Sequence, residues 1–313
     1  TSRRQRQMCI RDSMGTIQTK GWELAIDYRH TFKNGLHFGV TASVADDRTE
    51  VTKWTYNTKI PSYGATGWWD KGAYKEGMVL GDIWGLQFDR FLTEDDFNAD
   101  GSLKAGLPDQ TKVFPAGYQF APGDVLYKDL DNNGEIVKQT NTNEVGDLSV
   151  IGNALPRLQF GLNLDAAWKG FDISMFFQGV AKRKLWAAGN QVLPGFTTGE
   201  PFYKGAEDYW TPENTDAFYP RPMDYRQSAS GNYSVNDRYL LNMAYLRLKT
   251  FTVGYSLPKV WLSKFKVQGL RVYFTGENLF TISDTPDGLD PELDNPYTYP
   301  MQRSLSVGLS LTF

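Results

Sequence analysis

Histidine and cysteine are nearly absent: the 313 residues hold two histidines and one cysteine. His30 and His37 flank one tight turn, with no serine elbow and no metal-ligand spacing around them, so histidine-based catalysis and zinc chemistry have no foothold. Cys9 lies in a basic head segment, which leaves the body of the chain without a thiol for a disulfide, a metal or a nucleophile. No apolar run approaches the roughly eighteen residues that a membrane-spanning helix requires. Mean hydropathy is −0.46. These two absences exclude transmembrane helices but not a transmembrane barrel, whose alternating strands average to polar. Charge of one sign is missing as well, since a formal charge of −3 gives no bulk attraction to nucleic acid. The acidic run Glu94–Asp96 reads as a solvated patch, because a glycosidase needs two carboxyls at a set separation. No enzyme activity is expected.

What is abundant points to β structure: thirty glycines, nine tryptophans and 14% aromatic residues. Residues 1–13 stand apart. The run Met8 to Ser13, "MCIRDS", reads like a translated sequencing-library adapter, so residues 1–13 are expected to be non-native and the fold is argued from residue 14 onward.

Strands come in pairs with period-two alternation. Trp22, Leu24, Ile26 and Tyr28 run into Lys33-Asn34-Gly35, after which Leu36, Phe38, Val40, Ala42 and Val44 alternate away. Leu158 to Trp168 and Phe171 to Phe177 flank Lys169-Gly170 in the same manner. In the third pair, Leu246 and Leu248 are out of phase with Phe251, Val253, Tyr255 and Leu257, and a bulge near Lys249 and Thr250 would reconcile them. Leu270, Val272 and Phe274 form its partner strand. The chain closes on "SLSVGLSLTF", with Leu305, Val307, Leu309, Leu311 and Phe313 on one face.

Short and long connections alternate strictly. Lys33–Gly35, Lys169–Gly170 and Pro258–Gly269 are short, whereas residues 46–156, 179–242 and 282–302 are long and aromatic. In an up-and-down sheet, all short turns then lie at one end and all long loops at the other, which is the asymmetry of outer-membrane barrels. About ten residues per strand, at about 3.3 Å each and tilted near 45°, match the height of a lipid-facing band. The fold expected is all-β, an antiparallel transmembrane β-barrel with long extracellular loops and short periplasmic turns. A soluble secreted β protein that binds carbohydrate, or a passive porin, would share parts of this pattern.

Several longer words occur in order: "PGDVLYKDLDNNGEI" (Pro122 to Ile136), "IGNALPRLQFGLNLDAAWKGFDISMFFQG" (Ile151 to Gly179), "YLRLKTFTVGYSLP" (Tyr245 to Pro258), "LRVYFTGENLFTIS" (Leu270 to Ser283), "GLDPEL" (Gly288 to Leu293) and "RSLSVGLSLTF" at the end. Together they resemble the C-terminal part of SusC/RagA-type TonB-dependent outer-membrane transporters. The resemblance implies that residues 14–313 are the C-terminal portion of a barrel whose plug domain and early strands lie outside this sequence. It also implies import of a large nutrient, oligosaccharide or peptide, driven by the TonB complex acting through the plug. The partners it implies are a SusD-like surface lipoprotein, the lipid bilayer and the outer-membrane assembly machinery, for which Phe313 would be the terminal aromatic signal.

Two further candidates rest on residue chemistry. "DLDNNGE" places Asp129, Asp131 and Asn133 at calcium-loop positions one, three and five, with Gly134 at six and the carbonyl of Glu135 at seven. Position twelve is Thr140, with Glu144 or Asp147 as possible replacements. A weak Ca²⁺ site and a metal-free Asx-rich turn are equally consistent with it. The loop aromatics, among them Trp68, Trp69, Tyr74, Trp186, Tyr209 and Trp210, suit stacking on sugar faces. They equally suit the cores that loops of this size require.

Overall fold

The computed structural model describes residues 15–54, 76–138, 145–187, 189, 192–195, 204–223, 231–262, 267–293, 295 and 298–313. Among them run β1 (Gly15–Thr31), β2 (His37–Trp54), β3 (Asp82–Gly85), β4 (Phe88–Phe91), β5 (Val125–Tyr127), β6 (Ser149–Asn153) and β7 (Arg157–Trp168). They are followed by β8 (Phe171–Lys182), β9 (Lys184–Leu185), β10 (Leu241–Asn242), β11 (Tyr245–Ser256), β12 (Gly269–Glu277), β13 (Thr281–Ser283) and β14 (Ser304–Thr312). The chain divides into two compact units, one built from Gly21–Asp47, Gly152–Ala187 and Leu240–Phe313, the other from the described parts of Thr1–Lys20, Arg48–Ile151 and Ala188–Tyr239.

The large sheet has the order β1-β2-β7-β8-β11-β12-β14, with the short β13 beside β11. This is the up-and-down order expected from the alternation, and each pair from β2 to β14 is antiparallel. No closed barrel is formed among the described residues. The first two strands, at 17 and 18 residues, are longer than the ten or so expected.

Turn chemistry fixes the register. Gly35 sits at φ 81°, and the Phe32 N–H donates to the Leu36 carbonyl across the turn at 2.8 Å. Lys169 and Gly170 both have positive φ, 47° and 90°, and Trp168 pairs with Phe171; two left-handed residues give the type I′ turn that matches strand twist. The expected bulge is present, since the β11–β8 register shifts between Leu248 and Thr250. It is matched across the ladder by a kink in "GENLF": Asn278 adopts φ 50° and its N–H donates to the Lys249 carbonyl at 3.0 Å. Leu248 and Phe251 therefore share a face, opposite Phe177 and Met175.

One face is apolar in every strand of the ladder. Val40 pairs with Leu164, Leu164 with Met175, Met175 with Phe251, and further along Val253 with Phe274 and Phe274 with Val307. Many of these side chains are uncovered: Leu24, Ile26, Val272, Leu305, Val307, Leu309 and Leu311 are all exposed. So long a continuous apolar surface is far larger than a soluble monomer displays.

Candidate functional site

The opposite face of the sheet is polar, and glycines make room for its side chains. Asp172 of β8 and Arg271 of β12 lie on either side of β11, and the residue between them, paired with Asp172, is Gly254. A Cβ there would stand 2.6 Å from the Arg271 guanidinium. Its absence lets Arg271 reach over the strand to Asp172 in a two-pronged pair, Nε to Oδ1 at 3.0 Å and Nη2 to Oδ2 at 2.5 Å. The guanidinium also lies 4.8 Å from the Tyr273 ring, and Tyr273 in turn covers Gly308 of β14. Asp165 occupies the space over Gly39 in the same fashion. Towards the long-loop end this face holds a cavity of about 250 Å³ lined by Glu23, Ser43, Gln159 and Gln178 among others. A wall of hydroxyls, amides and paired charges suits contact with water or a polar solute, not a packed apolar core.

The last long connection is fastened by charge. Arg247 of β11 is 3% exposed and bonds through each of its three nitrogens: Nε to Thr281 Oγ1 at 2.8 Å, Nη1 to Glu292 Oε2 at 2.5 Å and Nη2 to Asp290 Oδ1 at 2.7 Å. Lys249 joins Glu292 at 2.6 Å, and Arg183 donates to the Pro291 carbonyl at 3.3 Å. Asp290 accepts from the Met301 N–H at 3.0 Å. This is the structural content of the "GLDPEL" word.

The second unit joins two connections that are separate in sequence. Asp124, 0% exposed, accepts from Tyr118 Oη at 2.8 Å, Ala121 N at 2.9 Å, Asn232 Nδ2 at 3.0 Å, and Arg221 Nε and Nη2 at 2.8 and 3.2 Å. Arg221 and Asn232 come from the later connection. Burial first, and then the neighbouring Asp124 carboxylate, push the Tyr118 hydroxyl above its usual range. Gly123, at φ 90°, passes so close to Trp210 that a Cβ would meet the indole at 2.5 Å. Around this hub pack Leu86, Phe91, Val113, Phe114, Val125, Tyr127 and Ile136 from one connection, with Trp210 and Ala217 from the other.

The Asp-rich loop lies in the same unit. Asp129, Asp131 and Asp147 present ligand oxygens within 4.8 Å of one another and could hold a metal ion. Asp147, one of the two residues named as replacements for the twelfth position, approaches the loop; Thr140 and Glu144 lie outside the described residues. Asp147 is fully buried and accepts from the Leu130 and Val137 N–H groups at 2.8 and 2.7 Å. Asp129 accepts from Gly134 N at 2.7 Å, Asp131 from Asn133 N at 3.1 Å, and Asn133 Oδ1 from Glu135 N at 2.7 Å. Desolvation alone would raise the Asp129 carboxyl, but the N–H groups of Gly134, Asn132 and Asn133 outweigh it and hold it below its usual value. The Glu135 carboxylate is engaged by Lys112.

The loop aromatics divide. Trp186 is 1% and Trp210 7% exposed, both core positions, whereas Tyr209 is 40% exposed. Trp68, Trp69 and Tyr74 lie outside the described residues. Phe313 is 78% exposed and follows Thr312, which pairs with Gly269 at the short-turn end of the sheet. Sequence reasoning missed Asp124, Arg221, Arg247 and Asp290. The words that contain Asp124, Arg247 and Asp290 were visible, but a side chain's partner a hundred residues away was not.

No family model matches the chain. Two TonB-dependent receptors of Formosa agariphila are each 26% identical to it over 96% of the chain, covering 29% and 30% of their own length. The TonB-dependent receptor SusC of Bacteroides thetaiotaomicron is 26% identical over 70% of the chain and 22% of its own length. Among solved structures, the RagAB peptide transporter matches with a TM-score of 0.65 at 18% identity, over 96% of this chain and 30% of its own. The RagAB peptide importer in its 'closed-closed' state matches with a TM-score of 0.64, also at 18% identity, over 96% and 30%. At that identity the structural likeness speaks for the fold alone. The chain spans 29% and 30% of the length of the Formosa relatives, which are named as receptors and not as enzymes. In sequence and in fold the chain is thus similar to TonB-dependent receptors of the SusC/RagA type.

Proposed function

We propose that the chain is part of an outer-membrane barrel through which a large nutrient, an oligosaccharide or a peptide, is imported with energy from TonB. The observation that carries this reading is the two-faced sheet: apolar, exposed side chains run across its strands on one face, and hydroxyls, amides and glycine-spaced ion pairs line the other. Lipid on the first face and a wet lumen on the second satisfy both without a protein layer on either. Neighbouring strands from β1 to β14 pair in one ladder, and the outer edges of β1 and β14 would be paired by the other strands of the complete barrel, as hydrocarbon demands at several kcal/mol per unmet group. The short turns would face the periplasm and the long connections the outside, where a SusD-like lipoprotein could meet them. In this reading residues 14–313 are the C-terminal barrel portion, with the plug and the TonB-contacting segment elsewhere in the complete protein. Residues 1–13 would be foreign to it.

Cargo chemistry follows from the relatives only as a pair of alternatives, glycan or peptide. Among the described aromatics named for stacking, Tyr209 has an available ring, so it is the one to test against cargo. Asp129, Asp131 and Asp147, with Asn133 and the Glu135 carbonyl, would hold Ca²⁺ as a structural brace of the loop unit.

The test uses the complete gene product. It should fractionate with the outer membrane, show heat-modifiable gel mobility, and support TonB-dependent uptake of either an oligosaccharide or a peptide mixture. A freely soluble monomer would overturn the barrel reading, and uptake that persists without TonB would favour a passive porin.

A further inference from the structure

The last long connection is attached to the sheet in an unusual way. Between β13 and β14, residues 284 and 286–288 are exposed, as are 295 and 298–303. The buried part is narrow: Asp290 and Pro291, flanked by the half-buried Leu289, Glu292 and Leu293. Arg247 of β11 holds both the Asp290 and the Glu292 carboxylates, Lys249 holds Glu292 as well, and Arg183 holds the Pro291 carbonyl. Among the described residues the connection is also held by Asn242 Nδ2 to Asp284 Oδ2 at 2.9 Å, Thr285 Oγ1 to the Asn242 carbonyl at 3.3 Å and Asn278 Nδ2 to the Gln302 carbonyl at 3.0 Å.

We propose that residues 284–293 form a strap latched to β11 by Arg247, a unit that opens and closes without disturbing the sheet beneath it. The argument is one of chemistry and place. An apolar attachment would cost buried area on release, whereas this one exposes four charged groups that water solvates readily once apart. Closed, the same groups make a strong fastening, because a cation that is 3% exposed is little screened by salt and has a partner on each of its three nitrogens. Arg247, not Lys249, is the key: it reaches both carboxylates and Thr281 at once, while Lys249 reaches Glu292 alone. Such an arrangement has two states, fastened and free, and Arg247 is a positioning residue that sets the balance between them.

Hydrogen exchange on the complete receptor in outer-membrane vesicles tests this. In Arg247→Gln the amides of 284–293 should exchange at least about tenfold faster, with β11 and β12 unchanged, as expected of a local opening. Arg247→Lys, which keeps the charge but not the fork, should fall between. Exchange in the strap that does not change in Arg247→Gln would overturn the proposal. So would an equal rise across β11 and β12, since the strap would then be no separate unit. Glu292→Gln is the milder second variant, removing the carboxylate shared by both cations, and should loosen the strap in the same direction. If neither variant assembles, the cluster belongs to the folding core of the sheet and the latch is refuted.

Discussion

Replacing Asp124 by Asn probes the joint between the two connections. The carboxylate is fully buried and receives five hydrogen bonds between 2.8 and 3.2 Å, three on Oδ1 and two on Oδ2. An amide nitrogen in place of Oδ2 turns an acceptor into a donor facing the Ala121 N–H and Arg221 Nη2. The guanidinium also loses its counter-charge. Breaking a buried pair from one side costs about 3–5 kcal/mol, and the Arg221 side chain, 27% exposed, can recover some hydration, so the lower end, about 3 kcal/mol, is expected. At about 1.4 kcal/mol per factor of ten, that raises local opening of the unit roughly a hundredfold. Hydrogen exchange of residues 86–136 and 204–223 in the complete receptor reads it directly, with β7 and β8 as the internal control. Arg221→Gln and the double variant complete a cycle: because both singles remove the same contact, their effects should saturate rather than add. An Asp124→Asn effect below about threefold, or full additivity in the cycle, would refute the hub.

Three further outcomes are expected. Gly254→Ala should lower the urea midpoint of the folded receptor by the equivalent of about 1–2 kcal/mol, because the new methyl pushes the Arg271 guanidinium off Asp172; the loss should shrink in an Arg271→Ala background, and an equal loss in both would argue against the crossing pair. Asp96 is held down at about 2, chiefly by its hydrogen bonds from Arg90, from an ordinary 3.8. A depressed carboxylate contributes stability that is full above about pH 4 and fades as pH falls through about 2; allowing for the half-exposed Arg90, roughly 1–2 kcal/mol should be lost across that window and be absent in Asp96→Asn, as read by urea midpoints at pH 5 and pH 2.5. Phe313→Ala in the full-length protein should reduce the heat-modifiable, assembled form without changing synthesis, and undiminished outer-membrane levels would count against the terminal aromatic as an assembly signal.

The sheet was legible because its determinants are local. Alternation at Leu305 to Leu311 fixes which side chains share a face whatever the neighbours are. Lys169-Gly170 and Asn34-Gly35 select their turns through backbone sterics alone. Even the bulge at Lys249 could be deduced, since a phase change between Leu248 and Phe251 has few other remedies. The loop unit was not legible for the converse reason. Nothing near Asp124 in sequence says that its cation is Arg221, and an aromatic such as Trp210 has the same composition whether it stacks on a sugar or fills a core.

The Asp-rich loop falls between these cases. Asp129, Asp131, Asn133 and Gly134 sit at their spacing because a tight turn needs that order of residues, and sequence suffices to see it. That Asp147 approaches this loop depends on where the chain returns. By itself, then, the sequence determined strand faces, turn types, the alternation of short and long connections and the kinship they imply, all set by interactions within a few residues. Only the tertiary structure decided that two long connections share one core around Asp124, that Arg247 gathers the last one onto the sheet, and that Gly254 is vacant so that Arg271 can cross it. Each of these depends on atoms distant in the chain being brought to within hydrogen-bond reach, and no local pattern encodes that distance.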